Sequence, residues 1–165
     1  MAMAADPSYQ RRRLRRTNRW DAVADDIPEG FQPFAQMSGY VGLVGPLYER
    51  RSSGGYQVGM RIDGRHTNMH GVCHGGVLAS LADVGLARVV GMSRTPRLQL
   101  VTVSLTLNYL LPAHPGDWAE VTAEIDRLGL QLGYANGVVS ANGTPVLRAS
   151  GVFQLLRDRP PTTTA

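Results

Sequence analysis

The stretch HGVCHGGVLASLADVGLARVVG, from His70 to Gly91, limits the possible folds more than any other part of the chain. Val77, Leu78, Leu81 and Ala82 on one side of Asp83, and Val84, Leu86, Val89 and Val90 on the other, read as one helix that is apolar nearly all round. Such a helix must be wrapped on most of its sides, and the flanking segments are of a kind to wrap it. Upstream, YVGLVGPLYERR and GYQVGMRID read as strands joined by the turn signal SSGG, and the loop GRHTNMHGVC leads to a helix start near His74 to Gly76. Downstream of the breaker MSRTPR, the run LQLVTVSLTLNYLLPA alternates Val101, Val103, Leu105 and Leu107 with Thr102, Ser104, Thr106 and Asn108, the period of a long strand. PAHPGD then turns the chain into WAEVTAEIDRLG, QLGYANGVVSA and PVLRASGVFQLL, with Leu128-Gly129 and Asn142-Gly143 as hairpin signals. This order predicts an α+β fold, a curved antiparallel sheet of about six strands around one long central helix.

A chain of 165 residues suits one domain. No apolar run approaches the ~18 residues of a membrane span, and the start of the sequence lacks the apolar core of a secretion signal. With Cys73 the single cysteine, the expected compartment is the cytoplasm. All 17 basic residues are arginine, and six of them lie before Trp20, so the net charge of +4 belongs to an arm. From Trp20 onward 11 arginines face 12 acids, a formal charge of −1. The expected organisation is a basic disordered arm over 1–20, a short helix or loop lying on the body over 21–38, a folded domain over 39–156, and a disordered tail over 157–165. RRRLRRTNR reads as a solvated tail, because sequence-specific nucleic-acid binding needs a reading module that the body lacks. Neither nucleic acid nor membrane is an expected partner.

Asp83 sets the chemical question. A carboxylate inside an apolar segment costs several kcal/mol unless it is paired, solvated or used. It has Ala79, Ser80, Leu86 and Ala87 at helix-pair spacing and no cation among them, since Arg88 is five residues away. The complementary group lies at the helix start. His74-Gly75-Gly76 strips side chains from the first turn, so backbone N–H groups can approach a ligand and stabilise negative charge developing on a carbonyl oxygen. Nine residues separate His74 from Asp83, which is ~900° of rotation and ~13 Å of rise. One carbonyl cannot touch both on one helix. If both act on one substrate, a second copy must supply one of them, which predicts a symmetric homodimer with composite sites.

Asn68-Met69-His70-Gly71-Val72-Cys73-His74-Gly75-Gly76, followed by Leu81-Ala82-Asp83, resembles the signature of hotdog-fold acyl-CoA thioesterases. The runs Val101-Thr102-Val103, Asn108-Tyr109-Leu110-Leu111-Pro112-Ala113 and Pro115-Gly116-Asp117 extend the resemblance to the phenylacetate-degradation-type subgroup of the 4-hydroxybenzoyl-CoA thioesterase superfamily. It covers about Gly39 to Leu156. It implies hydrolysis of an acyl-CoA to free acid and coenzyme A, within a dimer or dimer of dimers. The Gly75 N–H would polarise the carbonyl, and Asp83 of the partner chain would attack it or activate the water. Asn68 would orient substrate or water, Thr102 would hold the water, and His74 would shape the loop. Gly76, Tyr109, Arg127 and Gly129 fall where relatives contact the substrate, with Arg127 near the phosphates. No cofactor is implied, because coenzyme A arrives with the substrate and a thiolate leaves readily.

Competing readings carry less. His66, His70 and His74 have metal-ligand spacing only on a continuous helix, which Asn68 and Gly71 interrupt, so no metal is expected. Cys73 at a helix start has no base spelled out beside it and reads as a small apolar thiol. Met37, Met60, Met69 and Met92 read as packing residues. A hotdog hydratase or dehydratase would use a histidine with an acid in another arrangement. A non-catalytic acyl-CoA binder has no need of a carboxylate in an apolar helix.

Overall fold

The computed structural model describes residues 26–35, 39–52 and 55–156. The basic arm over 1–20 and the tail over 157–165 lie outside the described residues. Among the described residues, seven strands form one fully antiparallel sheet: β1 (Gln32–Pro33), β2 (Tyr48–Ser52), β3 (Gly55–Arg61), β4 (Gln99–Tyr109), β5 (Trp118–Leu128), β6 (Leu132–Ala141) and β7 (Thr144–Leu156), in the order β1-β2-β3-β5-β6-β7-β4. Among the same residues two α-helices accompany it, α1 (Gly39–Val44) and the long α2 (Gly75–Gly91).

The sheet curls around α2, which touches β3, β4, β5, β6 and β7. Leu78, Leu81, Ala82, Leu86, Val89 and Val90 are buried against it, so the nearly all-apolar helix is wrapped as its sequence requires. Close approach depends on missing side chains. A Cβ at Gly85 would stand 2.1 Å from Val121 Cγ1, and one at Gly133 would stand 2.7 Å from Val90 Cγ1. At the β6–β7 hairpin, Asn142 and Gly143 hold φ of 46° and 82°, the left-handed pair of a tight primed turn.

Three expectations need correction. The run YVGLVG is α1 and not part of a strand, which begins only at Tyr48. The i, i+3 spacing of Val41 and Val44 decides this: both pack on the core, while Tyr40 and Leu43 remain 64% and 80% exposed. The count of about six strands becomes seven, because the segment read as a helix or loop over 21–38 supplies β1, which pairs with β2 through Pro33 and Tyr48. That segment also brings Phe31 edge-on to Trp118, with ring centroids 5.0 Å apart, and buries Phe34. Met69, read as packing, is 92% exposed, whereas Met60 is fully buried.

The strict period of β4 also breaks. Thr102 pairs with Phe153 and Ser104 with the adjacent Val152, leaving Val103 as a bulge. On the Tyr109 side of the bulge, Leu105, Leu107 and Tyr109 lie opposite the inward residues Gly151, Ala149 and Leu147; on the other side, Leu100 and Thr102 lie opposite Leu155 and Phe153. One extra residue therefore moves Thr102 onto the helix face, and Val101 and Val103 stay 49% and 59% exposed.

Candidate active site

The site begins with a loop tied down at both ends. Asp63 caps the short 3₁₀ turn Gly64–His66, and His66 is buried with both ring nitrogens engaged: Nδ1 accepts from the Asp63 N–H at 2.9 Å, and Nε2 bonds the Val44 carbonyl at 2.8 Å. Thr67 and Cys73 close the loop by a bridge, and the His74 N–H donates to the His66 carbonyl at 2.7 Å. Within it, Asn68 Oδ1 accepts from the His70 N–H at 2.9 Å.

His74 caps α2. Its backbone is extended (φ −65°, ψ 134°), and its Nδ1 accepts the Gly76 N–H at 2.9 Å. Val77 and Leu78 donate to the His74 carbonyl. The Gly76 N–H is therefore spent on the cap. Among the described residues nothing accepts from the Gly75 N–H, which leaves it as the donor of the first turn. Tyr109 braces that position: its hydroxyl donates to the Gly75 carbonyl at 2.8 Å, and a Cβ on residue 75 would meet the phenol ring at 3.3 Å.

Asp83 lies two turns further along, half-buried. Thr102 Oγ1 donates to Asp83 Oδ1 at 2.9 Å, a contact the bulge at Val103 makes possible. Burial pushes the carboxyl above its ordinary range, and the Thr102 hydrogen bond partly holds it down. The nearest cation on the helix is committed elsewhere: Arg88 grips Glu49 through two bonds of 2.7 and 2.8 Å, beneath the rings of Phe34 and Tyr56. Asp83 thus has a neutral partner and a raised affinity for protons, the properties of a general base or carboxylate nucleophile.

Two cavities meet at Asp83. One, of ≈ 340 Å³, lies between α1, α2 and β4 and is lined by Tyr40, Val41, Val44, Leu47 and Leu105 besides Ser80 and Thr102. The other, of ≈ 220 Å³, runs toward the far end of α2. The wall supplied by α1 escaped the sequence reading, although the spacing of Val41 and Val44 carried the signal. Tyr40 reaches across to α2, its hydroxyl 2.7 Å from Ser80 Oγ, which itself donates to the Gly76 carbonyl at 2.8 Å.

Not every candidate residue gathers here. Gly75 and Asp83 are eight residues apart on one helix, ~12 Å of rise. Arg127 and Gly129 lie near Val90, at the opposite end from Gly75, because their neighbour Leu128 pairs with Gly133, which backs onto Val90. Leu128 packs on the core, so the adjacent, exposed Arg127 falls on the outer face of the sheet, and neither Arg127 nor Gly129 lines the two cavities. Cys73 is buried, and burial, aided by Asp117, pushes its thiol up to about 11. It is no ready nucleophile. Among the described residues no three His, Cys, Asp or Glu side chains converge on a possible metal position, and no helix is long and apolar enough to cross a membrane.

Comparison with known proteins now decides the family. The thioesterase superfamily profile matches residues 70–146, which hold the helix start, Asp83, Thr102 and Tyr109. The chain is 40% identical over 131 residues to PA0474 of Pseudomonas aeruginosa, a protein named as an esterase, with 79% of this chain and 98% of that one covered. The chain belongs to the thioesterase superfamily. It is a thioester hydrolase with the hotdog fold. Acyl-coenzyme A thioesterase PaaI of Escherichia coli is 34% identical over 76 residues, 46% of this chain and 52% of that protein. The structure of BH2602 from Bacillus halodurans, solved with CoA, superposes with a TM-score of 0.62 at 26% identity, covering 67% of this chain and 74% of that one.

Proposed function

We propose that this thioesterase hydrolyses an acyl-coenzyme A, using Asp83 of one copy and the Gly75 N–H of another at each site. The observation that carries the reading is Asp83: half-buried between two cavities, proton-hungry, and bonded to a hydroxyl rather than a cation. A buried carboxylate serving structure alone would be expected to have a charged partner. The name of the E. coli relative and the CoA bound to the Bacillus protein support acyl-CoA as the substrate class.

In the reaction, the Gly75 N–H donates to the thioester oxygen as charge develops there. Asp83 either attacks the carbonyl carbon, forming a mixed anhydride that water then hydrolyses to the free acid, or takes a proton from the water that attacks the carbonyl itself. The C–S bond breaks, and coenzyme A leaves as a thiolate that needs no strong acid. Thr102 positions the attacking water beside the carboxylate. Asn68, its Oδ1 engaged by His70, offers its amide N–H groups to substrate or water. His74 acts through the cap it gives Gly76 and not by proton transfer. The apolar cavity of ≈ 340 Å³ receives the acyl group.

The ~12 Å between Gly75 and Asp83 favours a composite site. Among the described residues no strand pairs with the outer edge of β4, and Val101, Val103, Tyr109, Leu110 and Leu111 are 45–59% exposed along and just beyond it. A long, apolar, uncovered edge is a hazard unless a second copy covers it. Pairing there makes a homodimer, and two such dimers a tetramer. The buried single thiol fits a reducing cytoplasm. Free-thiol release from a panel of aryl-acetyl and medium-chain acyl-CoA substrates tests the reading. Turnover that disappears with Asp83→Asn is expected; no turnover of any acyl-CoA by the wild type would overturn it.

A further inference from the structure

The two cavities that share Asp83 differ in the charged side chains of their walls. Val41, Asp83 and Val84 line both. Among the described residues the ≈ 340 Å³ cavity has no cationic side chain in its wall. The ≈ 220 Å³ cavity follows α2 from Asp83 to Gly91, ~12 Å of rise, and has Arg88 and Arg97 in its wall. Arg88 is tied to Glu49. Arg97 is exposed beside Gly91, and among the described residues it forms no ion pair. Its guanidinium is thus available at the end farthest from the carboxylate.

An acyl-CoA is asymmetric in the same way. Its acyl part is apolar, the arm next to sulfur is neutral, and the phosphates lie at the far end of that arm. A helix C-terminus repels anions, so phosphates delivered there require a cation. The reverse orientation would put the phosphates in a largely apolar pocket beside the Asp83 carboxylate, at a high desolvation cost and with no cation in its described wall. Resting on the acyl-CoA reading, we propose that the neutral arm runs through the ≈ 220 Å³ cavity and that Arg97 binds the phosphates at its end. Arg97 selects coenzyme A over a thiol carrier without phosphates, and it takes no part in breaking the C–S bond.

The test compares two thioesters of one acyl group, on coenzyme A and on pantetheine, which has no phosphate. Wild type, Arg97→Ala and Arg94→Ala are assayed, Arg94 being an exposed arginine that lines neither cavity. Loss of one partly screened charge-assisted contact predicts a KM for acyl-CoA raised ~10-fold in Arg97→Ala, with kcat close to wild type. KM for acyl-pantetheine should not move in either variant, and Arg94→Ala should resemble wild type with both substrates. Equal effects of Arg97→Ala on the two substrates, or none on acyl-CoA, would overturn the assignment. Calorimetric binding of coenzyme A itself separates this inference from the reading beneath it. If wild type hydrolyses no acyl-CoA, the function falls, and weaker coenzyme A binding by Arg97→Ala still decides the role of Arg97.

Discussion

Thr102→Val takes from Asp83 the hydroxyl that donates to it at 2.9 Å and keeps the volume of the side chain. Burial pushes the carboxyl up and this bond holds it back, so its removal favours the protonated form further. A hydrogen bond to a charged group is worth ~1.5–3 kcal/mol, and partial exposure argues for the lower end. At ~1.4 kcal/mol per factor of ten, the ionised fraction below the midpoint falls by about 10-fold. The assay is kcat/KM against pH for wild type, Thr102→Val and Thr102→Ser. In Thr102→Val the acid limb moves to higher pH, and Thr102→Ser, which keeps the hydroxyl, stays near wild type. A lower plateau alone reports the loss of a water-holding group, whereas the position of the limb reports Asp83. A limb that stays in place, or moves to lower pH, would refute the claim that Asp83 titrates in the rate and that Thr102 stabilises its ionised form.

Asp83→Asn should lower thioester hydrolysis by ~100-fold or more while keeping the fold, as read by thiol release and circular dichroism. Because burial raises the folded-state pKa of Asp83, its contribution to stability is present at low pH and lost as pH rises through that pKa. The Asn variant should therefore unfold at higher urea than wild type at neutral pH, with the gap closing in acid. Gly85→Ala should destabilise by ~1–3 kcal/mol, because the new methyl would stand 2.1 Å from Val121 Cγ1; this outweighs the ~0.5–1 kcal/mol Ala brings to a helix. Urea titration of Gly85→Ala with and without Val121→Ala checks it, and the second change should restore part of the loss. Removing residues 1–19 should leave turnover of acyl-CoA unchanged in the same assay, since none of the proposed site residues lies among them.

The elements legible in the sequence are those whose signals are local. The long helix shows in its apolar content, and its start shows in His74-Gly75-Gly76. The β6–β7 turn shows in Asn142-Gly143, a dipeptide that tolerates positive φ at both positions. What escaped depends on partners distant in sequence. YVGLVG is a short apolar run that suits strand or helix equally, and only the contacts of Val41 and Val44 with the core settle it. The bulge at Val103 follows from the register against β7, so the alternation of β4 concealed that Thr102 turns inward to Asp83. Arg127 matched a family position, and its place on the outer face of the sheet follows from the packing of Leu128 on the core, which its own neighbours in sequence do not announce. Arg97 carried no signal of its own, because its meaning lies in a cavity built by α1, α2 and β4.

The central claim is that each site takes its carboxylate and its N–H donor from different copies, and subunit mixing tests it most directly. Gly75→Pro removes the proposed donor, because proline has no N–H, and Asp83→Asn removes the carboxylate. Each variant should be nearly inactive alone, with folding verified by circular dichroism and dimerisation by gel filtration. After subunits exchange, every mixed dimer holds one site with both defects and one with neither. Random pairing makes half the dimers mixed and half of their sites intact, so thiol release should recover to about one quarter of wild type. No recovery, with heterodimers demonstrated by mass, would mean that each site is built within one chain and would contradict the composite site.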